Sequence, residues 1–372
     1  MAVTVIFALN GALFASIFSR LPALQERAGL SNGALGAVLL CSMLGLLVAQ
    51  LGAGALVSRI GSAHLVLAGA LLYSAALVPV ALADSFAALA AAFAFVGLSN
   101  GVLDVSMNVH GLTVERGLGW PILSGLHAFF SFGALAGAAV GGVVAGADVG
   151  VTTHLCVAAA LGVVGAVAAS RFLLPRLADA APEGPLLARP TRALALTGLF
   201  AFCALLSEGA VNDWAAVYLD NVLDSGEGVA AAGLAAFSLT MGLGRLGGDR
   251  LSAALGSAPL ARGGALLAAA GMTTAIAAGS AGPAIVGFAA MGFGLAALFP
   301  LALRAAAEQS GTPGPAVAAV SGMGYFAFVA GPPVVGGLAE AVGLRGALAL
   351  IVALCLTAAL VAGTVSAPVR SR

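Results

Sequence analysis

The chain has 372 residues, of which 61% are hydrophobic and only 8% charged, and its formal net charge is zero. Apolar runs of about 20 residues recur along it, and each is long enough to cross the roughly 30 Å hydrocarbon core of a bilayer as a helix. This composition excludes a water-soluble domain, and the absence of net positive charge disfavours nucleic acid as a partner. We therefore expect an all-α membrane protein that lies in the lipid bilayer.

Hydropathy, with glycine, proline and charge as punctuation, predicts twelve membrane spans. In chain order they are 2–19, 33–57, 64–83, 86–112, 121–146, 152–174, 194–219, 229–248, 260–279, 283–304, 315–339 and 343–365. The first span follows no basic segment and ends without a small-residue cleavage pattern. It is therefore interpreted as a retained helix and not as a signal peptide.

The arginines predict how these spans are oriented. If both termini are cytoplasmic, twelve arginines fall in inside loops and ends and three fall outside. The inside set is Arg59, Arg116, Arg171, Arg176, Arg189, Arg192, Arg245, Arg250, Arg262, Arg304, Arg370 and Arg372, and the outside set is Arg20, Arg27 and Arg345. This excess follows the positive-inside rule, so we predict that both termini lie in the cytoplasm.

The most polar segment lies halfway along the chain, from Pro175 to Arg192, and is rich in proline and arginine. Such a segment is typical of a loop between two helical units. We therefore predict an N-terminal six-helix bundle at residues 1–174, a cytoplasmic linker at 175–192 and a C-terminal six-helix bundle at 193–372.

The two predicted halves repeat each other. Residues 95–115 align with residues 288–308 at a constant offset of 193, which pairs Gly101 with Gly294 and Glu115 with Glu308. Parallel repeats with a binding site at their interface, near the membrane midplane, are typical of alternating-access transporters. The repeat therefore predicts two pseudo-symmetric halves around one site.

Two loops resemble the signature of the major facilitator superfamily. The segments "GALVSRIG" (54–61) and "GRLGGDRL" (244–251) are similar to the glycine, aspartate and arginine motif between helices 2 and 3, and 8 and 9, of that family. The second copy keeps Asp249 and Arg250, whereas Ser58 stands where the first copy usually has aspartate. The resemblance implies twelve transmembrane helices in two six-helix halves.

Three further segments resemble a narrower group, the YbjJ-like inner-membrane proteins, which are related to the fucose/galactose/gluconate proton symporters. The segments are "NGVLDVSMN" (100–108), "VERGLGWPILSGLHAFFSFGALAG" (114–137) and "SEGAVNDWAAVYL" (207–219). The resemblance implies a bacterial inner-membrane protein in which Asp104, on the fourth span, couples protons and binds substrate. The second acid of those symporters, on the first span, has no counterpart, because Asn10 is the strongly polar residue there.

The fourth predicted span carries a polar face. Asn100, Asp104 and Asn108 are spaced by four, and Glu115 lies eleven positions beyond Asp104, so all four share one side of a helix. An unpaired charge at the bilayer centre costs about 3 kcal/mol, so an acid there is a functional candidate. The alternative for Asp104 is a buried acid that only holds its helix in place.

Residues on other spans extend the candidate site. His127, on the fifth span, faces the same cavity if the helices pack as in the family, and it is otherwise a satisfied core residue. Glu208 and Asn212 lie four apart on the seventh span and are further substrate or proton candidates. Asp213 is interpreted as structural or as part of an outer gate, and Trp214 belongs with Tyr218 to an interfacial aromatic belt.

Five charged residues at the predicted cytoplasmic ends of spans form a candidate inner gate: Arg59, Glu115, Asp249, Arg250 and Glu308. We predict ion pairs between Glu115 and Arg59 and between Glu308 and Arg250, because the repeat contains both acids and both arginines. We also predict close helix crossings at small residues. These residues are Gly133, Gly137, Gly141, Gly142, Gly331, Gly336 and Gly337.

Sequence motifs disfavour an enzyme. All 15 basic residues are arginine, so the lysine of a phosphate-binding GxxxxGK[ST] loop is absent. GxSxG, HExxH and paired CxxC patterns are absent too, so we expect no cofactor and no metal site. The expected function is a monomeric secondary transporter that moves a small, possibly sugar-like polar solute together with protons. The alternatives are a drug or metabolite efflux antiporter and a non-transporting membrane sensor with the same fold.

Overall fold

The computed structural model describes residues 1–120, 122–174, 191–309 and 313–366. The helices in this part of the chain are α1 (Ala2–Phe18), α2 (Leu21–Arg27), α3 (Asn32–Ile60), α4 (Ser62–Leu82), α5 (Phe86–Leu118), α6 (Leu123–Gly146), α7 (Val151–Ser170), α8 (Arg192–Asn221), α9 (Glu227–Leu255), α10 (Ser257–Ala277), α11 (Ala281–Leu295), α12 (Leu298–Glu308) and α13 (Pro313–Val361), with a short 3-10 helix at Ala362–Val365. Nearly all of the predicted linker at 175–192 lies outside the described residues.

Ten helices of the described chain are long and apolar enough to cross a membrane, and α1 and α2, which meet at a bend of 42°, make an eleventh span if they are taken together. Helix α13 has 49 residues and is non-helical at Gly343, where φ is 74° and ψ is 159°. At 1.5 Å per residue it would extend roughly 74 Å, more than twice the bilayer core. The predicted all-α membrane fold is confirmed, and the count of twelve spans requires α13 to be taken as two.

Helix packing places a central interface between the N-terminal helices α1–α7 and the C-terminal helices α8–α13. On the N-terminal side α1 packs on α6, and α5 packs on α3 and α4. On the C-terminal side α8 packs on α13, and α11 packs on α9 and α10. Two pairs, α6 with α9 and α3 with α13, join the sides. The α3, α6, α9 and α13 helices therefore frame any space between the two groups.

Close crossings occur at most of the predicted glycines. A Cβ atom added at Gly133 or Gly137 would collide with the backbone of α1, and one at Gly142 would lie 2.8 Å from the Gly228 carbonyl oxygen. A Cβ at Gly336 would lie 2.7 Å from the Asn32 carbonyl oxygen. These distances confirm the prediction at these positions. Small residues let helix backbones approach each other where lipid supplies no hydrophobic driving force for association.

The glycine prediction is wrong at two positions of α13. A Cβ at Gly337 would have no neighbour within 4 Å, and one at Gly331 would make only an ordinary contact of 3.7 Å with Leu206. Adjacent helical positions point about 100° apart, so Gly336 faces α3 while Gly337 faces outward. Sequence clustering of glycine therefore does not identify which members lie at the crossing.

The proposed aromatic belt on α8 is also wrong. Trp214 and Tyr218 are both fully buried. The Tyr218 hydroxyl donates to the Ala275 carbonyl oxygen at 3.1 Å, and a Cβ at Gly336 would lie 3.3 Å from the indole ring of Trp214. Because α8 is enclosed by α9, α12 and α13, these rings pack inside the protein and not at the membrane interface.

Candidate functional site

A cavity of about 230 Å³ lies between the N-terminal and C-terminal helices. Helices α1, α3, α5 and α6 line one side of it, and α8, α9, α12 and α13 line the other. Six of the seven residues predicted to bind substrate or protons line this cavity: Asn10, Asn100, Asp104, His127, Glu208 and Asn212. The fold thus gathers side chains from four separate helices around one space.

The seventh predicted residue, Asn108, lines an adjoining cavity of about 420 Å³. The two cavities share His127, Glu208 and Arg245, together with Phe299 and Tyr325. The larger one extends to Asp249 and Arg304, near the C-terminal ends of α9 and α12. Because their walls are shared, the two cavities form one path from the centre of the molecule to this end, which we call the open end.

Asp104 is held by its own helix. The Asn108 Nδ2 atom donates to the Asp104 Oδ1 atom at 3.1 Å and to the Asp104 carbonyl oxygen at 2.8 Å, as their spacing of one helical turn allows. No Arg or Lys in the described part of the chain forms an ion pair with it. The carboxylate therefore faces the cavity with an amide donor and without a cation.

Glu208, in contrast, is paired. Arg245 of α9 donates through Nη2 to Glu208 Oε1 and through Nη1 to Ser131 Oγ of α6, at 3.0 Å each. The side chains of Arg245 and Glu208 are only 17% and 15% exposed. This pair joins three helices at the boundary of the two cavities, so its charges compensate each other inside the protein.

The placement of Arg245 corrects the orientation argument. It was assigned to the cytoplasmic arginines, but it lies ten residues before the end of α9 at Leu255 and its side chain lines both cavities. The predicted span 229–248 already contained it, and an arginine within a span is itself a signal for a functional site. Without Arg245 the predicted asymmetry becomes eleven inside against three outside.

Several cavity atoms have no protein partner. Asn10 is 2% exposed, and its amide nitrogen makes only a weak 3.6 Å contact with the Met107 sulfur. Its Oδ1 atom and that of Asn100 are buried without a hydrogen bond in the described part of the chain. Asp213, which is 8% exposed and also lines the cavity, makes no hydrogen bond or ion pair with the described residues. These atoms can interact with a bound solute.

Aromatic rings that the sequence analysis did not identify form two walls of the cavity. Phe14 stacks on Phe18 with centroids 4.1 Å apart and lies 6.0 Å from Phe130. On the other side, the Tyr325 ring lies 6.4 Å from that of Phe328 and also neighbours Phe299. An apolar residue on an apolar span carries no sequence signal for its direction, so these rings, like Gln50, could be found only in the folded protein.

The predicted gate pairs are not formed in this conformation. Glu115 Oε2 accepts from the backbone N–H groups of Ile122 and Leu123, at 2.7 and 3.1 Å, and so satisfies free donors at the start of α6. These two donors lie only seven and eight positions after Glu115 in the chain, so the acid satisfies them locally. Arg250 and Glu308 are exposed and do not pair with each other.

Asp249, another candidate gate residue, pairs with an arginine of a different helix. Its Oδ1 atom accepts from Arg304 of α12 at 3.0 Å. Both side chains are more than half exposed, so the pair contributes little to stability. Its two residues lie on the same side of the central interface, and the pair therefore does not close the path between the two helix groups.

The other end of the molecule is held shut by contacts across the interface. Arg20, 3% exposed, pairs with Glu227 at the start of α9 at 3.1 Å. Asn221 donates to Gln25 at 3.0 Å, and the backbone N–H of Gly33 donates to Glu340 at 2.6 Å. Each of these contacts joins α1–α3 or the turns between them to α8, α9 or α13. We call this the closed end.

Metal ligands are not grouped in the described part of the chain: no cluster of three or more His, Cys, Asp or Glu side chains is placed to hold an ion there. The polar groups of the central cavity are amides, carboxylates, one imidazole, one guanidinium and the phenol of Tyr325. They are suited to hydrogen bonding and charge recognition of a solute.

Similarity to known proteins extends over almost the whole chain. No family model matches it. An uncharacterised MFS-type transporter of Yersinia pestis is 33% identical over 342 residues, which cover 91% of this chain and 88% of the relative. The membrane protein MosC of Rhizobium meliloti is 32% identical over 358 residues, which cover 95% and 86%.

Solved structures show the same fold at low sequence identity. The nucleoside transporter NupG matches with a TM-score of 0.75 and 14% identity over 98% of both chains. A bacterial homologue of the human lysosomal transporter Spinster, in an inward-facing and occupied conformation, matches with a TM-score of 0.70 and 15% identity over 98% of this chain and 95% of that one. At these identities the likeness concerns the fold alone.

Proposed function

The chain belongs to the major facilitator superfamily of membrane transporters, and we propose that it is a secondary active transporter that moves a small polar solute by alternating access. One observation carries this proposal: a polar cavity between the two helix groups continues to one end of the molecule and is sealed at the other by the Arg20–Glu227 pair. A site open to one side at a time is what alternating access requires.

The size and lining of the cavity favour a small, hydrogen-bonding solute. The central cavity measures about 230 Å³ and is lined by four amide and three acidic side chains, which favours a hydrogen-bonding solute over an apolar drug. Amides and carboxylates from α1, α5 and α8 can bind hydroxyl groups, and aromatic walls can pack on the faces of a sugar ring. A sugar-like solute, as the resemblance to the YbjJ-like proteins implies, fits this combination.

Proton coupling is assigned to Asp104. Its carboxylate lines the cavity without a cation, while Asn108, which holds it, lines the path to the open end. Glu208 is already paired with Arg245, and a proton on Glu208 would break that pair. A proton on Asp104 instead removes an uncompensated charge and converts an acceptor into a donor for the solute, so affinity differs between the two protonation states.

The predicted orientation of the helices assigns the open end to the cytoplasm. Under the predicted orientation, with both termini inside a bacterial inner membrane, Asp249 and Arg304 lie on the cytoplasmic side and Arg20 on the outside. Arg59, Glu115, Arg250 and Glu308 then lie around an open entrance, and their predicted pairs would form when it closes. We expect a monomer, since one chain contains the whole cavity.

The test is transport by purified protein in proteoliposomes, after a thermal-shift screen of sugars and related metabolites has identified a ligand. Asp104→Asn mimics the protonated side chain, so accumulation driven by an imposed pH gradient should be lost while exchange of preloaded solute continues. Asp84→Asn, the same change at an exposed position before α5, is the matched control and should behave as wild type.

Full gradient-driven accumulation by the Asp104→Asn protein would show that Asp104 does not couple protons and has a structural role. Glu208 would then be the next candidate for proton coupling. Ligand binding without accumulation or exchange in the wild-type protein would instead support the membrane sensor. Accumulation of solute in the more acidic compartment, and not in the less acidic one, would support the antiporter.

A further inference from the structure

We propose that Asp213 binds an ammonium group of the solute, so that the transported compound is a small amine that also carries hydroxyl or other donor groups. This inference rests on the proposed function and names its substrate class. Asp213 lines the cavity from α8, is 8% exposed and has no hydrogen bond or ion pair with the described residues. An acid with a purely structural role would have protein donors around it.

The charges of the cavity lead to this assignment. Its lining contains three acids, Asp104, Glu208 and Asp213, and one arginine, Arg245. Arg245 is neutralised by Glu208 at 3.0 Å, which leaves two acids without a cation. The coupled proton neutralises Asp104, and Asp213 still lacks a partner. A buried, unpaired carboxylate is unfavourable, and a cationic group on the solute would remove this cost.

The unsatisfied amide atoms provide a second, independent observation. Among the lining side chains of the described structure, two oxygen atoms are fully buried without a hydrogen bond, Oδ1 of Asn10 and Oδ1 of Asn100. Both are acceptors and belong to helices other than that of Asp213. These two fully buried oxygens accept hydrogen bonds and so complement a solute group that donates them, as an ammonium group with its three N–H donors does.

The position of Asp213 places the ammonium group deep in the site. Helix α8 ends at the closed end, where Asn221 bonds to Gln25, and Asp213 lies about two turns before that residue. Asp104 and Asn108 connect the cavity with the open end. The aromatic walls at Phe14 and Tyr325 also suit a cation, because the faces of aromatic rings attract positive charge.

The proposal is tested by ligand binding to the purified full-length protein. Two matched sets of compounds differ in the ammonium group: glucosamine against glucose and N-acetylglucosamine, and putrescine against 1,4-butanediol. The amines should raise the melting temperature of the protein and bind measurably in calorimetry. Their neutral counterparts should bind at least about 10-fold more weakly, because they lack the charged hydrogen bond to Asp213.

Variants at two acids of α8 test whether Asp213 is the residue that binds the amine. Asp213→Asn should weaken amine binding about 10- to 100-fold and leave neutral compounds unaffected. Asp220→Asn is the matched control, since it is the same change seven residues further on the same helix and does not line the cavity. Asp213→Glu retains the charge and should keep the preference for amines even if Asp213→Asn folds poorly.

The inference is overturned if no amine of the sets binds, if neutral compounds bind as tightly as amines, or if Asp213→Asn keeps the preference for amines. The amine inference and the proposed function can fail independently of each other. Binding of neutral sugars together with loss of coupling in Asp104→Asn would leave the transporter proposal standing without the amine. Amine binding that depends on Asp213, with full coupling in Asp104→Asn, would retain the amine and remove the proton assignment.

Discussion

The two ends of the helical bundle satisfy their polar groups in different ways. At the closed end, bonds cross the central interface: Arg20 pairs with Glu227, and the N–H of Gly33 donates to Glu340. At the open end, Glu115 bonds to the start of the next helix and Asp249 pairs with Arg304, so these partners stay within one helix group. Separation of the two groups at the open end thus leaves these charges satisfied.

Close approach of helix backbones shows the same difference between the two ends. At the closed end, Gly36 of α3 meets Gly336 of α13, and Gly142 of α6 meets Gly228 of α9. These crossings involve the two helix pairs that pack most extensively between the N-terminal and C-terminal helices. The closed end is thus held by close packing together with polar bonds across the central interface, whereas the polar bonds of the open end stay within each helix group.

The largest effect is expected from filling a crossing at the closed end. Gly336→Leu would place side-chain atoms into the backbone of α3, where even a Cβ lies 2.7 Å from the Asn32 carbonyl oxygen. Overpacking of this kind costs about 1–3 kcal/mol or more. We expect a lower melting temperature of the purified protein and loss of transport.

The neighbouring glycine is the control for this substitution. Gly337→Leu points away from the crossing, where a Cβ has no neighbour within 4 Å. It should express and melt as wild type. Equal damage from both substitutions would show that helix flexibility, and not the close crossing, is the property that matters at this end.

A smaller effect is expected from the ion pair of the closed end. Arg20→Gln removes a 3% exposed cation that forms an ion pair with Glu227 and donates to the Val149 carbonyl oxygen, and it should weaken closure by about 2 kcal/mol. The alkylation rate of a cysteine introduced at Val329, which lines the cavity, measures closure with a membrane-impermeant reagent added at this end. The rate should rise in Arg20→Gln.

Glu227→Gln provides the matched half of a double-mutant cycle for that pair. Glu227 is 35% exposed, so its replacement should have a smaller effect than that of Arg20. Coupling between the two substitutions indicates that the pair itself maintains closure. Strictly additive effects would assign the role of Arg20 to its bond with Val149 alone.

The smallest effect concerns the open end. Glu115→Ala removes the acceptor at the start of α6 and should lower stability by about 1 kcal/mol, as loss of a helix-capping side chain does. Arg59→Ala should leave the melting temperature unchanged, because Arg59 is exposed and does not pair with Glu115 in this conformation. Transport assays of both variants then test the gate. Impaired transport by Arg59→Ala at unchanged stability would support a pair that forms on closure.

Much of the fold and part of the candidate site could be predicted from local patterns. Apolar runs identify membrane helices because a single chain segment must bury its own backbone polar groups in lipid. The spacing of Asn100, Asp104 and Asn108 identifies one helix face because positions four apart lie above each other. The bond between Asn108 and Asp104 is local in the same sense.

Partners far apart in the chain could not be predicted in this way. Arg245 bonds to Glu208 and Ser131, which lie 37 and 114 positions away on other helices, and Asp249 pairs with Arg304 and not with a residue of its own motif. Pairings across helices depend on rotation and depth of each helix, and composition does not encode them.

The sequence by itself therefore determined the membrane environment, the helical class and the polar face of α5, since each depends on residues within a few turns of one another. Only the tertiary structure decided that Glu208 is neutralised while Asp213 is not, that phenylalanines of α1, α6, α12 and α13 form cavity walls, and that one end is closed. These features depend on which helix faces meet, and lipid-facing and cavity-facing apolar residues are chemically alike.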